Sequence, residues 1–319
     1  MAAGLPPQLP SHQPPALRPG DRVRLVAASS ALADLERLQA GLAVLASWGL
    51  ELDDDPNRLP PRRWGYLAGR DAERAGDLLA DTGARPPAAL LACVRGGWGS
   101  ARLLEQPLEA AGGWLLGFSD VTSLLWHRLA MGRGGAVHGP LLTTLAAEPA
   151  WSRERLRALL FGEPLADLEG ESWVGGQAEG PLLAANLTVA THLLGTPHLP
   201  DLDGAILILE DVGEAPYRLE RMLTHWRLCG ALQRLGGIGF GSFEGCDDPR
   251  DDDDGTPRFS LEQVLRERTA DLGIPVLAGL PVGHGDVNAA LPLGVRARLD
   301  GDRGRLRVIA ASPGSVSRR

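Results

Sequence analysis

Short apolar runs alternate along the chain with longer stretches in which apolar residues recur every three or four positions. The first run, Arg22–Ala28, precedes a helical spacing from Leu32 to Trp48 that Gly49 ends. Runs at Ala88–Val94 and Trp114–Leu116 are each followed by glycine and then by a helical pattern. Alternating strands and helices are typical of a doubly wound, mostly parallel sheet. We therefore predict an α/β fold.

The second half of the chain repeats this alternation after a less regular segment. Helical spacing and apolar runs predict two helices and three strands there: Leu187–Leu194, Tyr217–Cys229, Ala205–Leu209, IGFGSF (238–243) and IPVLAGLP (274–281). The pattern loosens at 151–180, which ends in the glycine-rich GESWVGGQAEG. We predict four parts in all: a Pro-rich disordered leader (1–16), an N-terminal domain (17–150), a linker (151–180) and a smaller, β-rich α/β domain (181–319).

Charge and composition exclude several classes of partner. A net charge of −8 and a pI near 5.4 oppose binding to phosphate backbones or anionic lipid, so we expect neither nucleic acid nor membrane as a partner. No apolar run approaches the roughly 18 residues of a spanning helix, and we predict a cytoplasmic protein. Cys93, Cys229 and Cys246 lack metal-site spacing. The acidic run Asp247–Asp254 lacks the calcium-loop pattern and is interpreted as a solvated loop.

The chain contains no lysine, so all 32 basic residues are arginine. This absence excludes Schiff-base chemistry, pyridoxal phosphate attachment, serine–lysine dyads and the phosphate-loop lysine. The base of any enzyme built on this chain is therefore histidine, aspartate or glutamate.

Three reactive side chains follow predicted strands directly. Ser119 comes after WLLGF, Glu210 after AILIL, and His284 after IPVLAGLPVG. Ligands of open α/β sheets bind beyond the carboxyl ends of strands. A serine becomes nucleophilic when a histidine takes its proton, and a carboxylate orients that histidine. These residues are therefore the candidate catalytic triad.

Backbone N–H groups near Ser119 are candidates for an oxyanion hole. A turn from strand to helix leaves the first helical N–H groups free, which makes Asp120 one donor. The glycine-rich RGGWGS, which follows a predicted strand, supplies Gly97 as the second. Such a loop also suits a substrate carboxylate.

Each of these residues also has a structural interpretation that the sequence leaves open. Serine is a favoured helix N-cap, which would explain Ser119. Glu210 would be the first solvated residue after its strand. His138 and Asn186 are candidates to line a pocket, yet turn geometry and capping explain them equally well. GFSDV is not the G-x-S-x-G elbow of α/β-hydrolases, and no H-E-x-x-H zinc motif occurs.

Taken together, the motifs resemble the LD-carboxypeptidases, or muramoyltetrapeptide carboxypeptidases, whose relatives include microcin C immunity peptidases. The matching segments follow one another from about Arg22 to Leu299: VRGGWGS, LLGFSDVTSLL, AVHGP, NLTVATHLLGTP, ILILEDVGEAPYRLERML, GFGSF and LPVGHGDVN. The family's Ser-Glu-His triad falls on Ser119, Glu210 and His284. Its oxyanion donors fall on Gly97 and Asp120.

The resemblance implies a Rossmann-like or flavodoxin-like nucleophile domain, a C-terminal domain that carries the glutamate and the histidine, and a homodimer. It implies release of a terminal D-amino acid from a murein tetrapeptide with no cofactor and no metal.

Trp98 stands where the family typically has tyrosine. Arg95 and Arg221 are candidates for binding the substrate carboxylate, or for structural ion pairs. The alternatives are a peptidase for peptidyl or acyl adenylates and a non-catalytic anion-binding protein.

Overall fold

A computed structural model describes residues 13–53, 55–79, 87–108, 112–247 and 259–309. Within these ranges the chain folds into two sheets with helices packed against them. The strands are β1 (Arg22–Val26), β2 (Glu51–Leu52), β3 (Leu90–Cys93), β4 (Trp114–Gly117), β5 (Ala136–His138), β6 (Leu168–Glu169), β7 (Glu171–Val174), β8 (Gln177–Asn186), β9 (Ile206–Val212), β10 (Gly237–Glu244), β11 (Val276–Ala278), β12 (Leu291–Pro292), β13 (Arg296–Asp300) and β14 (Arg305–Val308). The α-helices are α1 (Leu35–Ser47), α2 (Asp71–Gly76), α3 (Thr122–Ala130), α4 (Leu142–Leu145), α5 (Ala150–Leu160), α6 (Leu187–Leu193), α7 (Pro216–Leu228) and α8 (Leu261–Thr269).

The first sheet has the strand order β12-β5-β4-β3-β1-β2 among the residues described. Strands β1 to β5 are parallel, and β12 pairs antiparallel with β5. All residues of β3 and β4 are buried, which explains why the sequences of these strands are continuous apolar runs without an alternating pattern. The predicted parallel sheet is confirmed.

The second sheet has the order β6-β14-β13-β8-β9-β10-β11-β7 over the same ranges. Its centre, β8 to β11, is parallel, and antiparallel strands extend it on both sides. The carboxyl ends of β8 and β9 lie side by side, because Asn186 is in register with Glu210. The predicted α/β class, with a second, β-rich unit, is confirmed.

The segment 151–180, predicted as a linker, is part of the folded body. It contains most of α5, and its strands β6 and β7 pair with β14 and β11. These strands are two and four residues long and are partly exposed, so they carry little hydrophobic periodicity. Gly176, with a φ of 101°, makes the turn into β8 rather than a flexible connection.

Residues 13–16 of the predicted disordered leader are held against the first sheet; residues 1–12 lie outside the described ranges. Gln13 accepts a hydrogen bond from the Gly135 N–H (2.7 Å), and Trp114 Nε1 donates to the Pro15 carbonyl (2.9 Å). Polar and backbone contacts of this kind leave no apolar pattern in the sequence. The prediction of disorder is therefore wrong for these four residues.

Helix α3 joins the two sheets. Its Trp126 is fully buried and donates from Nε1 to the Ala184 carbonyl on β8 at 3.0 Å. The same ring meets Trp226 of α7 edge-on, with the ring centroids 6.3 Å apart. Because α3 starts beside Ser119, this packing brings the end of β4 close to the ends of β8 and β9. Over the residues described, no helix has both the length and the apolar character needed to span a membrane.

Candidate active site

Ser119 lies in the turn between β4 and α3. Residues Ser119–Val121 form one turn of 3-10 helix that leads into α3. Within the described ranges Ser119 is the one non-glycine residue with positive φ (61°), a strained conformation found at functional turns. Its side chain makes no capping hydrogen bond to either helix. The interpretation of Ser119 as a helix cap is therefore wrong.

Ser119, His284 and Glu210 are linked by two consecutive hydrogen bonds and are called the triad below. Ser119 Oγ lies 3.0 Å from His284 Nε2, and His284 Nδ1 lies 2.6 Å from Glu210 Oε2. With the proton on Nδ1, His284 donates to the carboxylate, and its Nε2 accepts from the serine hydroxyl. This is the geometry of a serine activated by an oriented base.

Glu210 occupies a different place in its strand from the one predicted. Strand β9 continues past it to Val212, because Asp211 and Val212 still pair with Phe243 and Glu244 of β10. Glu210 is fully buried, so the interpretation as a first solvated residue is wrong. Its carboxylate is shielded from water, and Oε2 faces His284.

The glycine-rich segment Arg95–Ser100, called the RGG loop below, packs directly on the nucleophile. A Cβ added at Gly96 would lie 2.9 Å from Ser119 Cβ and 3.0 Å from its Oγ. Gly97 has a φ of 105°, which favours glycine. In the described part of the chain, the N–H groups of Gly97 and Asp120 have no acceptor. Their predicted role as oxyanion donors remains a prediction.

The loop that carries His284 is held by residues that the sequence analysis did not select. Asn288 Oδ1 accepts from the Gly283 N–H (3.0 Å), and Ser242 Oγ accepts from the Gly285 N–H (2.9 Å). Glu148 accepts from the N–H of Asn288 at 3.0 Å. An asparagine shortly after a glycine-flanked histidine is a turn signal that points to Asn288. No sequence signal points to Glu148, which comes from the other half of the chain.

The reaction of Ser119 with a fluorophosphonate is expected to speed up as the pH rises. Burial alone lowers the pKa of His284, but the hydrogen bond and charge of Glu210 outweigh it and hold the pKa above the ordinary 6.5. Only neutral His284 accepts the serine proton, so the rate should reach half its maximum above pH 6.5. A rate profile measured between pH 5 and 9 tests this.

His138 does not account for such a profile, because burial, with the charge of His284 second, lowers its pKa to about 3. A profile whose midpoint lies below pH 6.5, or a flat one, would contradict an imidazole base stabilised by Glu210.

Gly96→Ala is expected to slow the same reaction about 10- to 100-fold, because the new methyl group displaces Ser119 from His284. The backbone at Gly96 is not left-handed, so alanine itself fits the chain there. Gly76→Ala, in α2 with nothing within 4 Å of the new Cβ, is the matched control. Equal rates for the two variants would show that the loop does not constrain the serine.

Arg95 and Trp98 lie on the RGG loop as expected. Arg95 is half-buried and donates from Nη1 to the Ala31 carbonyl at 2.9 Å. It has no carboxylate partner among the residues described, so no structural ion pair accounts for it. Trp98 is 43% exposed, and its N–H donates to Ser30 Oγ at 3.1 Å. Both side chains stay candidates for binding substrate.

His138 and Asn186 are corrected from pocket-lining to structural residues. His138 is fully buried, and its ring packs against Phe118 with the centroids 5.7 Å apart. Asn186 caps α6 by accepting from the Val189 N–H and donates to Asp211 at 3.0 Å. The His138 ring is buried, and the amide oxygen and nitrogen of Asn186 are both hydrogen-bonded within the protein. Neither side chain is therefore open to a substrate.

Models of a single protein family match both halves of the chain. The LD-carboxypeptidase N-terminal domain matches residues 23–139, and the LD-carboxypeptidase C-terminal domain matches residues 179–299. The chain belongs to the LD-carboxypeptidase family. The resemblance inferred from the sequence motifs is thereby confirmed.

Two of the curated relatives match this chain over nearly its whole length. A putative carboxypeptidase of Synechocystis sp. is 50% identical over 297 residues, which cover 92% of this chain and 96% of the relative. The murein tetrapeptide carboxypeptidase of Pseudomonas aeruginosa is 37% identical over 305 residues, which cover 88% and 94% of the two chains.

Solved structures agree with this assignment. Muramoyltetrapeptide carboxypeptidase from Oxalobacter formigenes superposes with a TM-score of 0.76 at 27% identity, covering 90% of this chain and 97% of that one. The microcin C7 self-immunity protein superposes with a TM-score of 0.79 at 20% identity, covering 94% and 98%, which shows a shared fold.

The structure does not bring Arg221 to the triad. Arg221 lines an open cavity of about 720 Å³ between α6 and α7, together with Thr188, His192 and Tyr217. Its guanidinium lies 5.8 Å from the centre of the Tyr217 ring. No contact in the described part of the chain joins it to the triad.

Candidate metal ligands do not cluster among the residues that the structure describes. Over those residues, no group of three or more His, Cys, Asp or Glu side chains has the arrangement of a metal site. Residues 248–254 of the acidic run lie outside the described ranges, and the solvated-loop interpretation stays a prediction.

Proposed function

We propose that this protein is a serine LD-carboxypeptidase that removes the terminal D-alanine from a murein tetrapeptide. The observation that carries the proposal is the triad, with distances of 3.0 Å from Ser119 to His284 and 2.6 Å from His284 to Glu210. The names of the Pseudomonas and Oxalobacter proteins, a murein tetrapeptide and a muramoyltetrapeptide carboxypeptidase, support the substrate class.

The first half of the proposed reaction forms an acyl-enzyme. Ser119 Oγ attacks the carbonyl carbon of the bond between an L-centre and D-alanine, while His284 Nε2 takes the hydroxyl proton. Glu210 stabilises the resulting imidazolium through Nδ1. The N–H groups of Gly97 and Asp120 bind the oxyanion, a contribution of roughly 3 kcal/mol per donor in other serine hydrolases.

The second half releases the products and restores the enzyme. His284 gives its proton to the departing amine of D-alanine, and the C–N bond breaks. Water then attacks the acyl-enzyme with His284 again as the base, and the shortened peptide leaves with a new carboxylate. Every proton transfer uses a group of the triad.

Release of D-alanine from L-Ala-γ-D-Glu-meso-diaminopimelate-D-Ala tests the proposal. We expect release by the wild type, with and without EDTA, and release from the corresponding D-alanine amide at a lower rate. A folded wild-type protein that leaves the tetrapeptide intact would overturn the proposed substrate.

Arg95→Ala is expected to raise KM for the carboxylate-terminated tetrapeptide about 10-fold or more, because a charge-assisted hydrogen bond contributes roughly 1.5 to 3 kcal/mol. KM for the amidated peptide should change little. Arg221→Ala, in the cavity between α6 and α7, is the comparison variant. An equal change of KM for both peptides would remove Arg95 from the substrate site.

A peptidyl or acyl adenylate is the second candidate substrate, since the microcin C7 self-immunity protein is 31% identical over 128 residues and shares the fold. Hydrolysis of an aspartyl sulfamoyl adenosine in place of the tetrapeptide would favour it. A fluorophosphonate separates both enzymes from a silent anion-binding protein, which would not be labelled.

The proposed setting is cytoplasmic cell-wall recycling by a homodimer. Family membership supports this setting. Sedimentation equilibrium of the full chain tests the dimer, and fractionation of the producing cells tests the location.

A further inference from the structure

The carboxylate of Asp120 ties the RGG loop to the turn that carries the nucleophile. Asp120 Oδ2 accepts from the Ser100 N–H at 2.8 Å, and the Asp120 carbonyl accepts from Ser100 Oγ at 2.6 Å. Asp120 is 1% exposed, and Ser100 is fully buried. Both hydrogen bonds are therefore shielded from water, which strengthens them. They join the two segments that carry the N–H groups proposed to bind the oxyanion.

Other hydrogen bonds of the RGG loop go to different elements of the N-terminal half. Trp98 N–H donates to Ser30 Oγ at 3.1 Å, and Arg74 Nη1 donates to the Gly99 carbonyl at 2.7 Å. These bonds hold the loop to the segment after β1 and to α2. Among the hydrogen bonds of the described residues, those between Ser100 and Asp120 are the ones that connect the RGG loop to the turn Ser119–Val121.

The same contacts support the strained conformation of Ser119. Ser123 Oγ lies 2.6 Å from Ser100 Oγ and donates to the Asp120 carbonyl at 3.3 Å. The peptide group that follows Asp120 is thus held through its carbonyl by the hydroxyl groups of Ser100 and Ser123. Because Ser119 holds a φ of 61°, movement of the adjoining residue Asp120 would let the turn relax and would shift both Ser119 Oγ and the Asp120 N–H.

Electrostatics indicate that the shape of the Asp120 side chain matters here rather than its charge. A negative charge buried one residue from the nucleophile would oppose the negative charge that develops on the substrate oxygen. Its Oδ1 is buried and has no hydrogen-bond partner among the described residues. The part of the side chain that holds the RGG loop is therefore Oδ2, which accepts from the Ser100 N–H.

We propose that Asp120 is a positioning residue whose side chain sets the separation of the Gly97 and Asp120 N–H groups. The role rests on the proposed function, because it needs an oxyanion formed at Ser119. It makes an unusual prediction for a buried acid. Asparagine, which keeps the acceptor and loses the charge, should serve as well as aspartate.

The test compares Asp120→Ala with Asp120→Asn by the rate at which a fluorophosphonate labels Ser119, and by kcat and KM for the tetrapeptide. Asp120→Ala should lower the labelling rate and kcat about 10- to 100-fold, less than the loss of a whole donor, with KM within about 3-fold. Asp120→Asn should stay within about 3-fold of the wild type in both rates.

Asp300→Ala is the control for loss of a buried acid. Asp300 is 7% exposed and accepts from the Arg303 N–H at 3.1 Å, at the end of β13. We expect it to lower the melting temperature without changing kcat. If Asp120→Ala does not fold, Asp120→Leu replaces it, because leucine keeps most of the side-chain volume and removes the acceptor for the Ser100 N–H, with the same expected fall in kcat.

Three results would overturn the role: an unchanged kcat in Asp120→Ala or its replacement, a fall in Asp120→Asn as large as in Asp120→Ala, or an equal fall in Asp300→Ala. Labelling needs no peptide, so the two proposals fail differently. A folded wild type that is not labelled overturns the proposed function and this role together. A labelled wild type that leaves the tetrapeptide intact overturns the substrate alone.

Discussion

Ser119→Ala is expected to lower kcat for D-alanine release roughly 10⁴- to 10⁶-fold, the range seen when other serine proteases lose their nucleophile. The reason is that His284 and Glu210 remain hydrogen-bonded but have no hydroxyl to activate. Labelling by a fluorophosphonate should disappear completely. Alanine keeps the Cβ and therefore the strain of the left-handed backbone, so the melting temperature should change little.

The control for Ser119→Ala is Ser47→Ala, at an exposed serine of α1 whose hydroxyl donates to the Val44 carbonyl. It should keep full activity and full labelling. Labelling that persists in Ser119→Ala would show that the probe reacts elsewhere, and the nucleophile would then have to be sought among the other serines.

Glu210→Gln is expected to lower kcat by about 10⁴-fold, roughly 5.5 kcal/mol in activation free energy. The amide is nearly the same size, so the packing inside β9 is kept. Its NH₂ group facing Nδ1 favours the imidazole tautomer that carries the proton on Nε2, and this tautomer does not accept the proton of Ser119. The loss should appear in kcat at saturating tetrapeptide, with KM nearly constant.

Two further measurements separate this effect from general damage. Glu214→Gln removes a carboxylate that pairs with Arg218 at the surface and does not touch His284, so its kcat should equal that of the wild type. Titration of His284 by NMR should give a lower pKa in Glu210→Gln than in the wild type, because the charge that raises it is gone. A kcat within 10-fold of the wild type would exclude Glu210 as the partner of the histidine.

The sequence was most informative where the signal was local. The apolar runs before Ser119 and His284 identified β4 and β11, and helical spacing identified α1 and α7. Prediction was poorest where strands are short or half-exposed, as at β6 and β7, because two to four residues are too few to show a period. Strand β9 was predicted too short for a related reason, since its last residues, Asp211 and Val212, are polar or exposed.

Candidate site residues divide in the same way. A serine, a glutamate and a histidine at strand ends can be recognised from residue type and position alone. Ser242 and Glu148 were missed because the N–H groups that they accept from lie 43 and 140 residues away in the chain. Asn288 was missed although its partner, Gly283, lies only five residues away and its turn signal is local. For His138 and Asn186 the sequence left a pocket role and a turn or capping role equally open, because neither the burial of a ring nor the partners of an amide can be determined from residue type and position alone.

By itself the sequence determined the class of fold and the absence of lysine chemistry, and it selected the three side chains of the candidate triad, because strand and helix periods and residue types are local properties. Only the tertiary structure decided that these groups meet. The two hydrogen bonds of the triad join residues 165 and 74 positions apart in the chain. Contacts over such separations depend on strand register and on the packing of α3 between the sheets, and no short stretch of sequence encodes either. The left-handed backbone of Ser119 has the same origin, since the surrounding fold supplies the free energy that holds a strained residue in place.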